Sequence, residues 1–204
     1  MDIPHLSHFY EPSTTKLILE NSPQKFIDVG AHVGRYSILA ASRGSDVISF
    51  EPSTNNFKQF LSNIELNSLK SKIRPLKIGL SNKSGKRRFF FIPLQEGLSS
   101  FIEHENSLTE KVNVDKMDNV LHKYKVNIGQ IDIIKIDTEG TELNILKGAT
   151  NTLSKGNATL IIEILESKLK LNIFSFLKGF EYECKNVLDG RNYVFKKTTR
   201  SQYH

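Results

Sequence analysis

The chain alternates short apolar runs with segments of helical period, and most of the apolar runs end at an acid or a glycine. "KFIDVG" leads into "VGRYSILAAS", "DVISFE" into "NNFKQFLSNIEL", "IDIIKIDTEG" into "TELNILKGA", and "ATLIIEI" into "SKLKLNIFSFL". Such alternation argues for an α/β fold with a mainly parallel sheet covered by helices on both faces. Phe57, Phe60, Leu61 and Ile64 share one helix face behind a Ser53/Thr54 cap, and Met117, Val120, Leu121 and Tyr124 share another behind Asp115. A short helix is expected over Thr14 to Asn21, and "IRPLKIGLS" reads as a third strand. "KRRFFFIP" and "SSFIEHE" break the alternation and read as short antiparallel strands, which makes 82–113 a β-rich insertion. "FEYECKNVL" and "NYVFKK" around Asp189-Gly190 form a closing hairpin, so one antiparallel strand is expected at or near the sheet edge. Without repeats or a low-complexity linker, 1–204 reads as a single domain with a short helical segment at 1–24.

Composition bounds the function. A chain of 204 residues can bury one substantial core. No apolar run approaches the roughly 20 residues needed to span a bilayer, and "MDIPHLSHFYEPS" lacks the regions of a signal peptide. Cys184 is the single cysteine, so no internal disulfide forms and a reducing, cytoplasmic setting is expected. The net charge of +6 is compatible with nucleic acid or an anionic surface, but lysines spread over solvated faces explain it as well. The densest basic cluster, "KSGKRRFFF" from Lys83 to Phe91, reads as a hairpin tip joined to a partly solvated strand.

Chemistry is expected at the carboxyl ends of the strands, where open parallel sheets bind their ligands. Asp28 precedes the turn "DVGAHVG", in which Gly30 permits a close backbone approach and Gly34 lets the helix begin against the strand. The GxxxG spacing differs from the GxGxxG of dinucleotide binders, which argues against NAD. Glu51 ends the second strand, where a carboxylate can accept hydrogen bonds from both hydroxyls of a ribose. In "IDIIKIDTEGTEL", Lys135, Asp137 and Glu139 recur at every second position, as if three charges shared one face of a buried strand.

The order of "GAHVG", "FEPS" and "KIDTEGTELNILKGA" closely resembles the FkbM family of S-adenosylmethionine-dependent methyltransferases, over roughly Lys25 to Ile164. The resemblance implies a class I, Rossmann-like methyltransferase domain with a mainly parallel seven-stranded sheet. It implies Asp28, Gly30, Ala31 and Gly34 around the methionine moiety, Glu51 and the following Pro52 at the ribose, and Gly79, Leu80 and Ser81 near the adenine. Asp137 would lie close to the sulfonium, facing the acceptor. Family members commonly methylate hydroxyl oxygens on sugars, lipids or natural products. His32 and Arg35 depart from the residues frequent at their positions.

An alcohol is a poor nucleophile, so a base or metal beside it helps. Asp137 is the first candidate for orienting or deprotonating the acceptor, with Lys135 and Glu139 beside it. Glu142 suits a helix start equally well. Glu163, ending "LIIEI", is a further acid whose structural role would be a pairing with Lys135. Two carboxylates could bind Mg²⁺, but no third ligand is fixed, and the metal is left unknown. A hydroxyl-bearing small molecule, glycan or lipid is the expected acceptor. A nucleic-acid methyltransferase is the alternative, because "EPSTNNFKQFLSNIELNSLKSKI" is also similar to a region of transfer-RNA methyltransferases. No Asn-Pro-Pro-Tyr-type motif for a flipped base occurs. A catalytically silent nucleoside-binding module is the third reading.

Overall fold

The computed structural model describes residues 10–91, 99–101 and 107–198. The chain begins with α1 (Pro12–Asn21), β1 (Lys25–Val29), α2 (Arg35–Ser42), β2 (Asp46–Phe50), α3 (Thr54–Leu66) and β3 (Ile73–Leu76). Four strands follow: β4 (Gly79–Leu80), β5 (Gly85–Phe91), β6 (Ser99–Ser100) and β7 (Leu108–Asp115). The alternation then resumes with α4 (Met117–Lys123), β8 (Ile133–Ile136), α5 (Glu142–Lys147), α6 (Thr150–Lys155), β9 (Thr159–Glu163) and α7 (Ser167–Lys178). The hairpin β10 (Tyr182–Leu188) and β11 (Asn192–Lys197) closes the fold.

Seven strands make the main sheet in the order β10-β11-β9-β8-β1-β2-β3. Neighbours from β9 to β3 run parallel, while β11 is antiparallel to both β9 and β10. The antiparallel strand is therefore one in from the edge. Side chains alternate across the sheet and so feed two cores. Ile27, Val29, Ile134, Ile136, Leu160 and Ile162 pack with Met117, Ile145, Leu153 and Ile173 from α4 to α7. Phe26, Val47, Ile133 and Ile161 pack on the other face with Ile18, Tyr36, Ala40 and Phe60 from α1, α2 and α3. Burial on both faces is why these strands read as continuous apolar runs.

The second face carries a polar row close to the carboxyl ends of the strands. Asp28 stands opposite both Ser49 and Lys135 in the register of the central strands. Ile136 pairs with Ile162, so the next residues along, Asp137 and Glu163, also face each other. That row lies beneath α2.

The structure corrects several expectations. "IRPLKIGLS" is not one strand: β3 ends at Leu76, and Gly79–Leu80 joins a separate four-stranded sheet of order β4-β7-β5-β6. The β-rich insertion thus reaches from Gly79 to Asp115, beyond the expected 82–113. β7 was not anticipated, because "LTEKVNVD" carries only two strongly apolar inward residues, Val112 and Val114. Asp115 does not cap α4. Lys116 occupies the cap position, and Asp115 instead accepts from its backbone N–H at 2.7 Å and from Ser84 at 2.6 Å. α6 was also unanticipated; its first turn is capped from afar by Asp118, which accepts from the N–H groups of Asn151 and Thr152. Much of "SSFIEHE", and residues 1–9 of the segment 1–24, lie outside the described residues. Among the described residues no helix is long and apolar enough to cross a membrane.

Candidate active site

The strand order reverses at β1, and a crevice of about 1010 Å³, open mouth included, lies beyond the carboxyl ends of β1, β2 and β8. Its floor depends on Gly30. The residue adopts φ +82°, and a Cβ there would stand 1.8 Å from the Asp137 carbonyl oxygen. The close approach is locked from both sides. Asp137 donates its N–H to the Val29 carbonyl, and the N–H groups of Gly30 and Ala31 both reach the Phe50 carbonyl. Gly34 serves differently: its missing side chain makes room for the Phe60 ring, and it does not line the crevice.

Glu51 lines the crevice with Pro52, yet its carboxylate is already engaged. One oxygen accepts from the His32 N–H and the other from the Ser53 N–H, each at 2.8 Å. The Asn56 side chain also hydrogen-bonds the carboxylate, so one of its four lone pairs remains. Burial pushes the Glu51 carboxyl up to about 7, although the two backbone N–H groups pull the other way. Gly79 and Leu80 form an apolar wall with Phe89 and Phe101, whose rings meet edge to face at 5.0 Å. Ser81 stands behind that wall, accepting from Arg87 at 3.1 Å, and is not part of the lining.

Lys135, Asp137 and Glu139 do not form the three-charge strand face that their spacing suggests. β8 ends at Ile136, and Glu139 sits in the following turn at φ +53°. Lys135 is 1% exposed, and its Nζ donates to Asp137 Oδ2 at 2.6 Å. Burial alone would lower the Lys135 pKa, but the charges of Asp137, Asp28 and Glu11 outweigh it and raise it. Burial likewise opposes the charge on Asp137, but Lys135 and a hydrogen bond from Glu163 hold its pKa below the usual range. Glu139 has weaker support: burial, then the charges of Asp137 and Glu142, push it up to about 7 against the smaller pull of Arg191 and Lys135. Asp28 accepts from the Ser37 hydroxyl at 2.6 Å, and burial raises its pKa despite Lys135. Glu142 is structural. Its Oε1 gathers the N–H groups of Thr138 and Gly140 and the Thr138 hydroxyl, which shapes the turn.

Glu163 does not pair with Lys135. Its Oε1 takes Arg191 Nε at 3.0 Å. Arg191 also holds Glu11 Oε1 at 3.1 Å, Glu11 accepts from the Tyr36 hydroxyl, and the Tyr36 ring lies 4.6 Å from Lys135 Nζ. A closed circuit of charges and hydrogen bonds results. Glu11, Tyr36 and Arg191 were missed by sequence reasoning. Glu11 and Arg191 are 180 positions apart, so no local signal marks either. Asp137, Glu139 and Glu163 bring carboxylate oxygens within 4.8 Å of one another. Lys135 Nζ and Arg191 Nε already occupy oxygens of Asp137 and Glu163, so the trio is a poor fit for Mg²⁺.

A family model described as the methyltransferase FkbM domain matches residues 28–184. The chain belongs to the FkbM methyltransferase domain family. The hexuronic acid methyltransferase AglP of Haloferax volcanii is 27% identical over 157 residues, covering 74% of this chain and 61% of that protein. Methyltransferase sdnD of Sordaria araneosa is 26% identical, covering 76% of this chain and 73% of that protein. Among solved structures, an FkbM methyltransferase from Methylobacillus flagellatus superposes with a TM-score of 0.61 at 18% identity, over 85% of this chain and 43% of that one. An O-methyltransferase from Bacillus cereus in complex with SAH gives 0.53 at 12% identity, over 93% and 79%. Both superpositions show the class I methyltransferase fold. This FkbM chain therefore spans less than two thirds of the length of AglP and under half of the M. flagellatus protein.

Proposed function

We propose that this FkbM domain transfers a methyl group from S-adenosylmethionine to a hydroxyl oxygen of a sugar-containing acceptor. The observation that carries the reading is the juxtaposition, in one crevice, of the Gly30 turn, the buried Glu51 and the carboxylates of Asp137 and Glu139. Glu51 suits a ribose hydroxyl through its remaining lone pair, and Leu80, Phe89 and Phe101 offer an apolar slot for the adenine. The sugar acceptor is supported by the likeness to a hexuronic acid methyltransferase.

The cofactor supplies a methyl carbon already activated by positive sulfur, so the protein's share is alignment, exclusion of water and management of one proton. Glu139 is the proposed base. A carboxylate with a pKa near 7 accepts a proton at neutral pH far better than an ordinary one. As the new O–C bond forms and the C–S bond breaks, the hydroxyl proton passes to Glu139. Asp137, held ionised by Lys135, is a weaker base and serves to orient the hydroxyl. This division of labour revises the ranking in which Asp137 stood first.

Calorimetry is expected to show S-adenosylhomocysteine binding to the purified protein and NAD giving no heat. Absence of heat with either adenosyl compound would remove the methyltransferase reading. Labelled S-adenosylmethionine, incubated with separated RNA, lipid, polysaccharide and small-molecule fractions, is expected to mark the sugar-containing fractions. Label gathering in RNA instead would replace the acceptor and assign a role to the exposed Lys86, Arg87 and Arg88 of β5.

A further inference from the structure

Glu163 is the one strongly perturbed acid in the charged circuit that the proposed reaction leaves without a task. It is 4% exposed, against 24% for the side chain of Asp137 nearer the mouth of the crevice. The two carboxyls stand at the ends of adjacent parallel strands, one residue past the Ile136–Ile162 pair, with oxygens within 4.8 Å and a hydrogen bond between them. A hydrogen bond between two carboxyls needs a proton on one of them, and their mutual repulsion disfavours ionising both. The surrounding cations decide which. Lys135 stands 2.6 Å from Asp137. Arg191, the only cation in contact with Glu163 among the described residues, is shared with Glu11 and is itself partly exposed.

We infer that Glu163 works as a neutral carboxylic acid that donates its proton to Asp137, and that it is a positioning residue for the crevice floor. The inference rests on the reading of this crevice as a methyl-transfer site. With Lys135 on one oxygen and Glu163 completing the carboxylate's hydrogen bonding, Asp137 cannot rotate, and the acceptor meets it in one orientation. The acidic trio is then a proton-sharing device in which a divalent cation has no place. The groups that face Glu163 are consistent with this, including Tyr10 ahead of α1, whose raised pKa keeps its hydroxyl neutral and which takes part of Arg191 through a 3.2 Å hydrogen bond. Asp137 and Glu139 approach from the end of β8 and its turn, and both disfavour a second negative charge. Arg191 and Asn192 approach from the β10–β11 side, with Glu11 behind Arg191 drawing on the same cation. Burial, then Asp137, push the Glu163 carboxyl up to about 9, and Arg191 offsets them only in part.

The test uses the whole chain and two variants, Glu163→Gln and Glu163→Ala. Infrared difference spectroscopy, wild type minus Glu163→Gln, at pH 8, where Glu51 and Glu139 are mostly ionised, is expected to show the carbonyl stretch of one protonated carboxylic acid. The absence of that difference band would overturn the proposal. A carboxyl raised in the folded state contributes stability that is complete below its ordinary 4.5 and is lost as pH rises to about 9. The melting temperature of the wild type should therefore fall relative to Glu163→Gln across that window, and parallel curves would count against the idea. Millimolar Mg²⁺ should leave the band unchanged; its loss would make the trio a cation site. For S-adenosylhomocysteine, Glu163→Gln should rescue affinity that Glu163→Ala loses by about tenfold, since an amide still donates to Asp137. Equal losses in both variants would sink the positioning role. If no form binds the nucleoside, the methyltransferase reading fails, while the infrared band still decides the state of Glu163.

Discussion

Lys135→Ala is expected to lose about 3–5 kcal/mol of stability at pH 7, because removing one partner of a buried ion pair strands the others. The lysine ammonium is the shared counter-charge of Asp137, Asp28 and Glu11, and it also lies against the Tyr36 ring. Deleting it leaves a buried cavity where a long side chain ran between α2 and the sheet. For a domain of this length the loss corresponds to roughly 10 °C in melting temperature. Two controls make the mechanism visible. The deficit should shrink as pH falls, because the stranded acids can then take up protons. Lys135→Ala combined with Asp137→Ala should cost less than the sum of the two single changes, because they share one interaction. A Lys135→Ala protein that melts like the wild type would show that the charged circuit contributes nothing.

Gly30→Ala is the second change expected to have a large effect, through backbone geometry alone. Alanine at φ +82° costs about 1–2 kcal/mol in itself. The added methyl also has nowhere to go, since the Asp137 carbonyl oxygen is 1.8 Å from its ideal position. That oxygen is backbone in the loop leaving β8, so relief requires the ends of β1 and β8 to part. Overpacking of this kind costs a further ~1–3 kcal/mol. The crevice floor would widen where the cofactor and acceptor are proposed to meet. S-adenosylhomocysteine binding should fall more steeply than stability does, with calorimetry and thermal melting measured side by side. Retained affinity would show that Gly30 is a folding residue only. Gly34→Ala offers a contrast, since its methyl would strike the Phe60 ring in the core rather than the crevice.

The fold was legible because its signals are local. Strand runs such as "KFIDV" and "TLIIE" are short, apolar and closed by turn residues, and α3 and α7 carry their period within themselves. β4, β7 and α6 escaped because two of them are short and the third is mostly exposed, so their stability comes from partners distant in sequence. The same division runs through the site. Gly30, Glu51 and Asp137 could be named from the chain because each stands at the end of its own strand, where a parallel sheet opens its crevice. Which carboxylate is a base, which is held ionised and which keeps its proton could not. Those properties depend on burial and on the nearest cation, and both follow from strand register and from contacts such as Glu11 with Arg191, 180 positions apart. The order of residues determined a strand that carries charge to the floor of a crevice. Only the tertiary structure set Lys135 against Asp137 and Glu163 against Arg191, because electrostatic partners are chosen by distance in space, and neighbouring strands bring together what the sequence keeps apart.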